Sequence, residues 1–282
     1  MKVIDAHAHI FPQKIAERAV SSIGSFYGIP MDDDGTADVL LREMRTANVS
    51  QSLVCSVATK PEQVTSINTF LAEEAKRHPE FVPFAAMHPL MEDPEAEFER
   101  ILKAGFYGIK LHPDFQAFYI DDPRADVIYR LAEGKLPILF HTGDHRYEWS
   151  RPHRLARVME RFPSLVCIGA HFGGWSCWQE SYDTYRGGLL YMDTSSSLMF
   201  LKPEEARRFL DKFGPERFFF GTGRSVRRLP QIQIFQQLLT GRKFINISVP
   251  FMPTTWVIHV GSDSSNVFDN SRIHPGFKLE IV

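Results

Sequence analysis

Residues 3–11 read VIDAHAHIF, an apolar start that runs into two histidines separated by one alanine. The apolar run at 3–6 reads as a strand with the histidines at its end, and along a strand residues i and i+2 point to the same side. His7 and His9 are therefore expected to aim their imidazoles at one point. Two neutral imidazoles suit a divalent cation, zinc first, with manganese, iron or cobalt as alternatives.

The same punctuation recurs down the chain. Short β-branched and aromatic runs fall at 52–57, 81–87, 108–111, 137–140, 165–170, 189–193 and 218–222. Between them lie amphipathic stretches at 60–77, 94–104, 123–132, 151–161 and 203–213, several opening on proline or acidic residues, as in DPEAEFERIL and KPEEARRFL. Val64, Ile67, Phe70, Leu71 and Ala75 stripe one helix face. Strand and helix in strict alternation predict a parallel sheet covered by helices. Eight units within about 220 residues predict a closed (β/α)8 TIM barrel, with an open doubly wound sheet as the alternative. His7, His88, His112, His141, His171, Asp193 and Thr222 each end a predicted strand. A barrel brings such ends to one face, where sites are built.

Composition narrows the function classes. The 282 residues carry a net charge of −2, which gives no reason to expect a nucleic-acid or membrane partner. Three cysteines, Cys55, Cys167 and Cys177, are too few and too scattered for a disulfide framework or a thiolate zinc site. The N-terminus lacks the long apolar core of a signal peptide, and no apolar run is long enough to span a membrane. A soluble, cytoplasmic enzyme acting on a small molecule, either alone or as a homodimer, is the expectation.

Four further motifs carry chemistry. PILFHTGDHRY places His141 at the end of a buried strand, where a polar ring needs hydrogen bonds or a metal; with His7 and His9 on the same rim it is read as a third ligand. VCIGAHFGGW places His171 beside the same point, as a general acid or base or as a fourth ligand. GIKLHPDF carries Lys110 and His112 on one side of a short strand. A lysine inside a barrel binds an anion, pairs with a carboxylate or is modified, and a substrate carboxylate is the simplest partner. His112, and Asp144 in the loop after the fifth strand, are candidates to bind substrate. DTSSS lacks a nucleophile-elbow pattern, and neither a P-loop nor a dinucleotide fingerprint is present.

Taken in order, DAHAHIF, SVATKPEQ, GIKLHPDFQ, PILFHTGD, AHFGGW, DTSSS and FGT resemble the amidohydrolase superfamily. The resemblance is to its amidohydrolase-related group, which includes aminocarboxymuconate-semialdehyde decarboxylase and resorcylate decarboxylase. It implies a barrel with one or two divalent metals. His7, His9 and His141 take the place of metal ligands, and His171 that of a histidine aiding proton transfer. In some branches of the superfamily a strand lysine is carbamylated, the role that would fall to Lys110.

The eighth strand departs from the family pattern, in which Gly-Thr-Asp supplies a metal-binding carboxylate. Here Gly221 and Thr222 are followed by Gly223. From there to the end, seven basic residues face three acidic ones in a stretch interrupted by Pro, Ser and Asn. Residues 1–222 are thus read as the barrel. Residues 223–282 are read as an atypical tail, irregular or partly disordered, arising from a frame slip that turns the Asp codon into Gly and scrambles a family-like helix over 242–258. The implied activities are a metal-dependent hydrolase using activated water, or a decarboxylase of the same family. The loss of the carboxylate sets against both a catalytically impaired metal-binding barrel. A phosphoesterase would need more carboxylates on the rim.

Overall fold

The computed structural model describes residues 3–28, 31 and 34–223, together with the backbone of 245–247 and 256–258. Eight parallel strands lie in space in the order they have in the chain. They are β1 (Val3–His9), β2 (Val49–Cys55), β3 (Phe81–Ala86), β4 (Gly108–Leu111), β5 (Ile138–Phe140), β6 (Cys167–Gly169), β7 (Leu190–Asp193) and β8 (Phe218–Phe219). The seam between first and last is bridged by Ala6 N–H donating to Phe220 O at 2.8 Å and Gly223 N–H donating to His7 O at 3.0 Å. Asp5 adds a polar clasp, accepting from the amide and the hydroxyl of Thr222 at 3.0 and 2.6 Å. The expected TIM barrel is the observed fold.

The helices are α1 (Gln13–Tyr27), α2 (Ala37–Thr46), α3 (Val64–Arg77), α4 (Pro94–Lys103), α5 (Pro113–Gln116), α6 (Asp126–Ala132), α7 (Pro152–Arg161), α8 (Trp178–Thr184) and α9 (Pro203–Phe213). Every residue of β3, β4, β5 and β6 is buried, as strands covered on both faces require. The longer outer helices turn an apolar stripe inward: in α2 the buried positions are Val39, Leu40, Leu41 and Met44, and in α9 Ala206, Phe209 and Leu210. Local chemistry sets where helices begin: Asp93 accepts from Ala96 N at 2.9 Å ahead of Pro94. Asn68 of α3, fully buried, pairs with both backbone groups of Ala86 and fastens the helix to β3.

Beyond residue 223, β9 (Ile245–Ile247) pairs antiparallel with β10 (Trp256–Ile258). The expected character of the rest of the tail, and its reading as a frame slip, fall outside the described residues. Among the described residues no helix is long and apolar enough to cross a membrane.

The loops after β5 and β6 are stitched together at Gly143. It has φ +84°, and a Cβ there would sit 2.4 Å from Gly174 C and Trp175 N. Only glycine allows this approach, which anchors the backbone just beyond His141 and His171. Gly143→Ala is expected to cost about 2–4 kcal/mol by combining a strained φ with a backbone clash. Equilibrium denaturation checks this, and an unchanged midpoint would contradict it.

Candidate active site

At the carboxyl ends of the strands lies a cavity of about 890 Å³, its wall including His7, His9, Lys110, His112, His141 and His171. These six come from β1, β4, β5 and β6 or the residues directly after them, so the strand-end reading brings them to one place. Helix α1 forms the opposite wall, contributing Ile15, Ile23, Phe26 and Tyr27.

The base of the site rests on Asp193, fully buried at the end of β7. Its Oδ2 lies 2.8 Å from His7 Nδ1, and its Oδ1 accepts from the amides of His171 and Ser195 at 3.0 and 2.9 Å and from the Ser195 hydroxyl. Burial alone would raise its pKa, but attraction and a hydrogen bond from His7, with help from His171, hold it below the ordinary carboxylate range. An ionised carboxylate can only accept, so His7 carries its hydrogen on Nδ1 and turns a lone pair at Nε2 toward the cavity. Burial, and then the charge of Lys110, lower the His7 pKa, keeping the ring neutral.

His171 is set by the same logic. Its Nδ1 lies 2.8 Å from the Ser195 carbonyl, which accepts only, so Nε2 again holds the lone pair. His171 and Phe172 have φ +62° and +55°, a left-handed pair that turns the chain immediately after β6. Burial pushes the His171 pKa down to about 3. His112 and His141 are held well below the ordinary histidine value, again by burial first and by neighbouring cationic groups second.

His7 Nε2 and His9 Nε2 face one another at 3.1 Å. That is the separation two nitrogens take when both bind one cation at about 2.0–2.1 Å each. His7, buried, neutral and backed by a carboxylate, and the half-buried His9 are nitrogen donors suited to a divalent metal. Among the described residues, three groups have donor atoms within 4.8 Å of one another: His7 with His9 and Cys55, His7 with His171 and Asp193, and His112 with Asp114 and His141. His141 thus belongs to a different group from the β1 pair. It meets that side through His171, whose Nε2 is 3.1 Å from His141 Nδ1. Its other nitrogen, Nε2, is 3.3 Å from Asp114 Oδ2, off the line of a hydrogen bond. Burial pushes Asp114 up to about 7.

Lys110 is 1% exposed, and its Nζ has no hydrogen-bond partner among the described residues. Burial lowers its pKa, while Cys55 and Asp193 pull the other way. An orphaned amine in a cavity wall marks a place where a ligand completes the polar pairing. His112 lines the cavity too, but both of its ring nitrogens have protein partners, Phe115 N and Tyr27 Oη.

The structure does not bring Asp144 together with the other candidates. Asp144 lies outside the cavity wall, fully buried, with both carboxylate oxygens held by Arg146 in the fork geometry. Arg146 in turn donates to Phe26 O at 2.6 Å and lies over the Phe26 and Tyr27 rings, so Asp144 braces the end of α1 and does not reach for substrate. Three residues of the site were not singled out from sequence as members of it: Asp193, Asp114 and Tyr27. Asp193 carried the signal of a strand-end position; the other two carried none.

Gly223 sits at the cavity edge with φ +68°, and a Cβ there would meet Ser196 Oγ at 2.4 Å. The glycine is matched to its backbone. An aspartate at this position requires Ser196 to move.

Fold and site together define an α/β-barrel protein with a polyhistidine centre at the carboxyl mouth. The sequence profile of the amidohydrolase family matches residues 4–243, and the chain belongs to that family. No curated protein matches it in sequence. Among solved structures it is similar to an uncharacterized TIM-barrel protein from Bordetella bronchiseptica, at 19% identity and TM-score 0.64, over 90% of this chain and 93% of that one. A 2,6-dihydroxybenzoate decarboxylase complexed with 2,6-dihydroxybenzoate matches at 17% identity and TM-score 0.57, over 83% and 91%. An amidohydrolase from Burkholderia multivorans with bound HEPES matches at 14% and 0.59, over 84% and 91%. Likeness at these identities establishes the barrel and leaves the reaction to the site.

The shifted groups imply a pH dependence. An imidazole held neutral in the fold takes up its proton on unfolding, so stability is present above about pH 6.5 and lost as pH falls toward the folded value. His7, His112, His141 and His171 all act in this direction. Asp114, raised to about 7, opposes them, since it regains stability as acid protonates it. Metal-free protein is expected to melt lower at about pH 5 than at about pH 7, and Asp114→Asn to widen the gap. Scanning calorimetry checks both, and melting temperatures independent of pH would contradict the neutral assignment.

Proposed function

We propose that the chain is a metal-dependent hydrolase of the amidohydrolase family acting on a small, carboxylate-bearing substrate. The observation that carries the reading is the convergence of His7 and His9 Nε2 in the same cavity as the unpartnered amine of Lys110. His7 and His9 would hold a divalent cation, zinc by donor chemistry, and His141, which stands in a neighbouring donor group, would join them only on a shift of its ring; such a cation would supply Lewis acidity toward a substrate oxygen and an attacking water.

The residues of the chain divide the remaining work. Lys110 binds the substrate carboxylate, and its burial makes an anion a better partner than water. His171 turns the lone pair of Nε2 toward His141 Nδ1 at the cavity wall and is the candidate to take a proton there once a ligand offsets the burial that now disfavours its charged form. Proton acceptance suits deprotonation of water in hydrolysis. The alternative is decarboxylation, the reaction in the name of one solved structure of the same fold, a 2,6-dihydroxybenzoate decarboxylase. It needs a proton donor to carbon, and Asp114, at about 7, is the group in the cavity wall nearest that requirement. The third reading, an impaired barrel, rests on Gly223. It predicts metal binding without turnover.

Metal-loaded protein should be assayed against carboxylate-bearing lactones, esters and amides and against carboxylated aromatics, following acid release and carbon dioxide separately. The expected result is acid release, with Lys110→Met raising KM roughly 10–100-fold for carboxylated substrates and little for neutral analogues. Carbon dioxide release with no hydrolysis would transfer the proposal to the lyase. Turnover of neither class, in protein that binds metal, would favour the impaired barrel.

A further inference from the structure

Helix α1 ends at Tyr27, whose hydroxyl has one hydrogen-bond partner among the described residues, His112 Nε2 at 3.0 Å. The direction of that bond follows from the other side of the ring. Phe115 N–H points at His112 Nδ1, at 3.3 Å, as part of the cap of α5. A nitrogen that receives an N–H carries no hydrogen of its own, so the neutral ring keeps its hydrogen on Nε2 and donates it to Tyr27 Oη. The phenol therefore uses its oxygen as acceptor toward His112 and has its own O–H left to give. Tyr27 forms part of the cavity wall, and burial, followed by the charges of Asp114 and Asp144, keeps its hydroxyl protonated.

The ring is fixed on several sides. Trp175 meets it edge-on at 5.3 Å, Phe115 lies at 6.0 Å, and the Arg146 guanidinium sits 5.6 Å from its centre. Arg146 is itself clamped by Asp144 and tied to Phe26 O. His112 follows Lys110 by two residues at the end of β4, so the amine and the Tyr27–His112 pair reach the cavity from the same strand end.

We propose that Tyr27 is a substrate-positioning donor: its O–H gives a hydrogen bond to an acceptor oxygen, carboxylate or carbonyl, of the molecule in the cavity, and so selects for an acceptor at that point. The inference rests on the carboxylate-substrate reading above and adds a contact from α1, outside the strand ends that hold the rest of the site. Asp144 and Arg146 then act as positioning residues that hold the helix end in place.

Benzoate serves as the probe, titrated into metal-loaded wild type and Tyr27→Phe by calorimetry and by ultraviolet difference spectroscopy. A phenol donating to a carboxylate shifts its absorption to the red, a signature that a purely packing role does not produce. Tyr27→Phe is expected to weaken benzoate roughly 10–100-fold, the range for a hydrogen bond to a charged group, and to abolish the tyrosine difference band. Equal affinity and an unchanged band in Tyr27→Phe would overturn the role of Tyr27 while leaving the carboxylate reading intact. Failure of wild type to bind benzoate would overturn both. Should Tyr27→Phe not fold, His112→Asn removes the ring that orients the phenol; it is expected to weaken benzoate and shrink the band, and wild-type behaviour there would likewise overturn the proposal.

Discussion

The buried hydrogen bond between Asp193 and His7 joins the two halves of the site. A carboxylate removed from water is costly unless it is saturated with donors, and Asp193 meets that demand with His7, two backbone amides and the Ser195 hydroxyl. In doing so it fixes which nitrogen of His7 carries hydrogen, holds the turn that presents His171, and ties the end of β7 to the end of β1. The orientation of the Nε2 lone pair of His7 follows from this one bond. Replacing the carboxylate would loosen the centre even though Asp193 makes no contact with the cavity itself.

A second constraint is the concentration of neutral, desolvated nitrogen donors around one amine. Five imidazoles and Lys110 share a cavity wall that includes two acidic side chains, Asp114 and Glu73. Burial keeps at least four of the rings uncharged, which is what metal coordination needs, and leaves the site short of negative charge. An anionic substrate would redress that imbalance, and the absence of a carboxylate at position 223 makes it larger. The apolar residues that α1 adds to the wall, Ile15, Ile23 and Phe26 among them, lower the local dielectric and strengthen the polar contacts beside them.

Much of this was legible in the amino-acid order. The eight strands follow from short apolar runs whose ends are marked by polar residues, and the helices from period and capping, because both signals are local. Strand β1 runs three residues further than its apolar run suggests: histidine at positions 7 and 9 hides strand character from any reading that counts only apolar residues. The convergence of His7 and His9 came from spacing alone. Asp193 is legible as a strand end but its pairing with His7 is not, and Tyr27 carries no signal at all, because their partners lie 186 and 85 positions away and no local pattern encodes such a pairing. Asp144 misled for the opposite reason. In the GDHR segment its partner Arg146 is two residues on, and a loop carboxylate with a local ion-pair partner looks in sequence the same as one that faces a ligand.

The central claim is that the histidine pair of β1 holds a divalent cation in a chain with glycine at position 223. Zinc and manganese measured per purified chain by elemental analysis, in wild type and in His7→Ala with His9→Ala, test it most directly. The account predicts about one metal ion per wild-type chain and close to none in the double variant. Folded wild-type protein that carries no metal, and takes up none on dialysis against zinc, would contradict it.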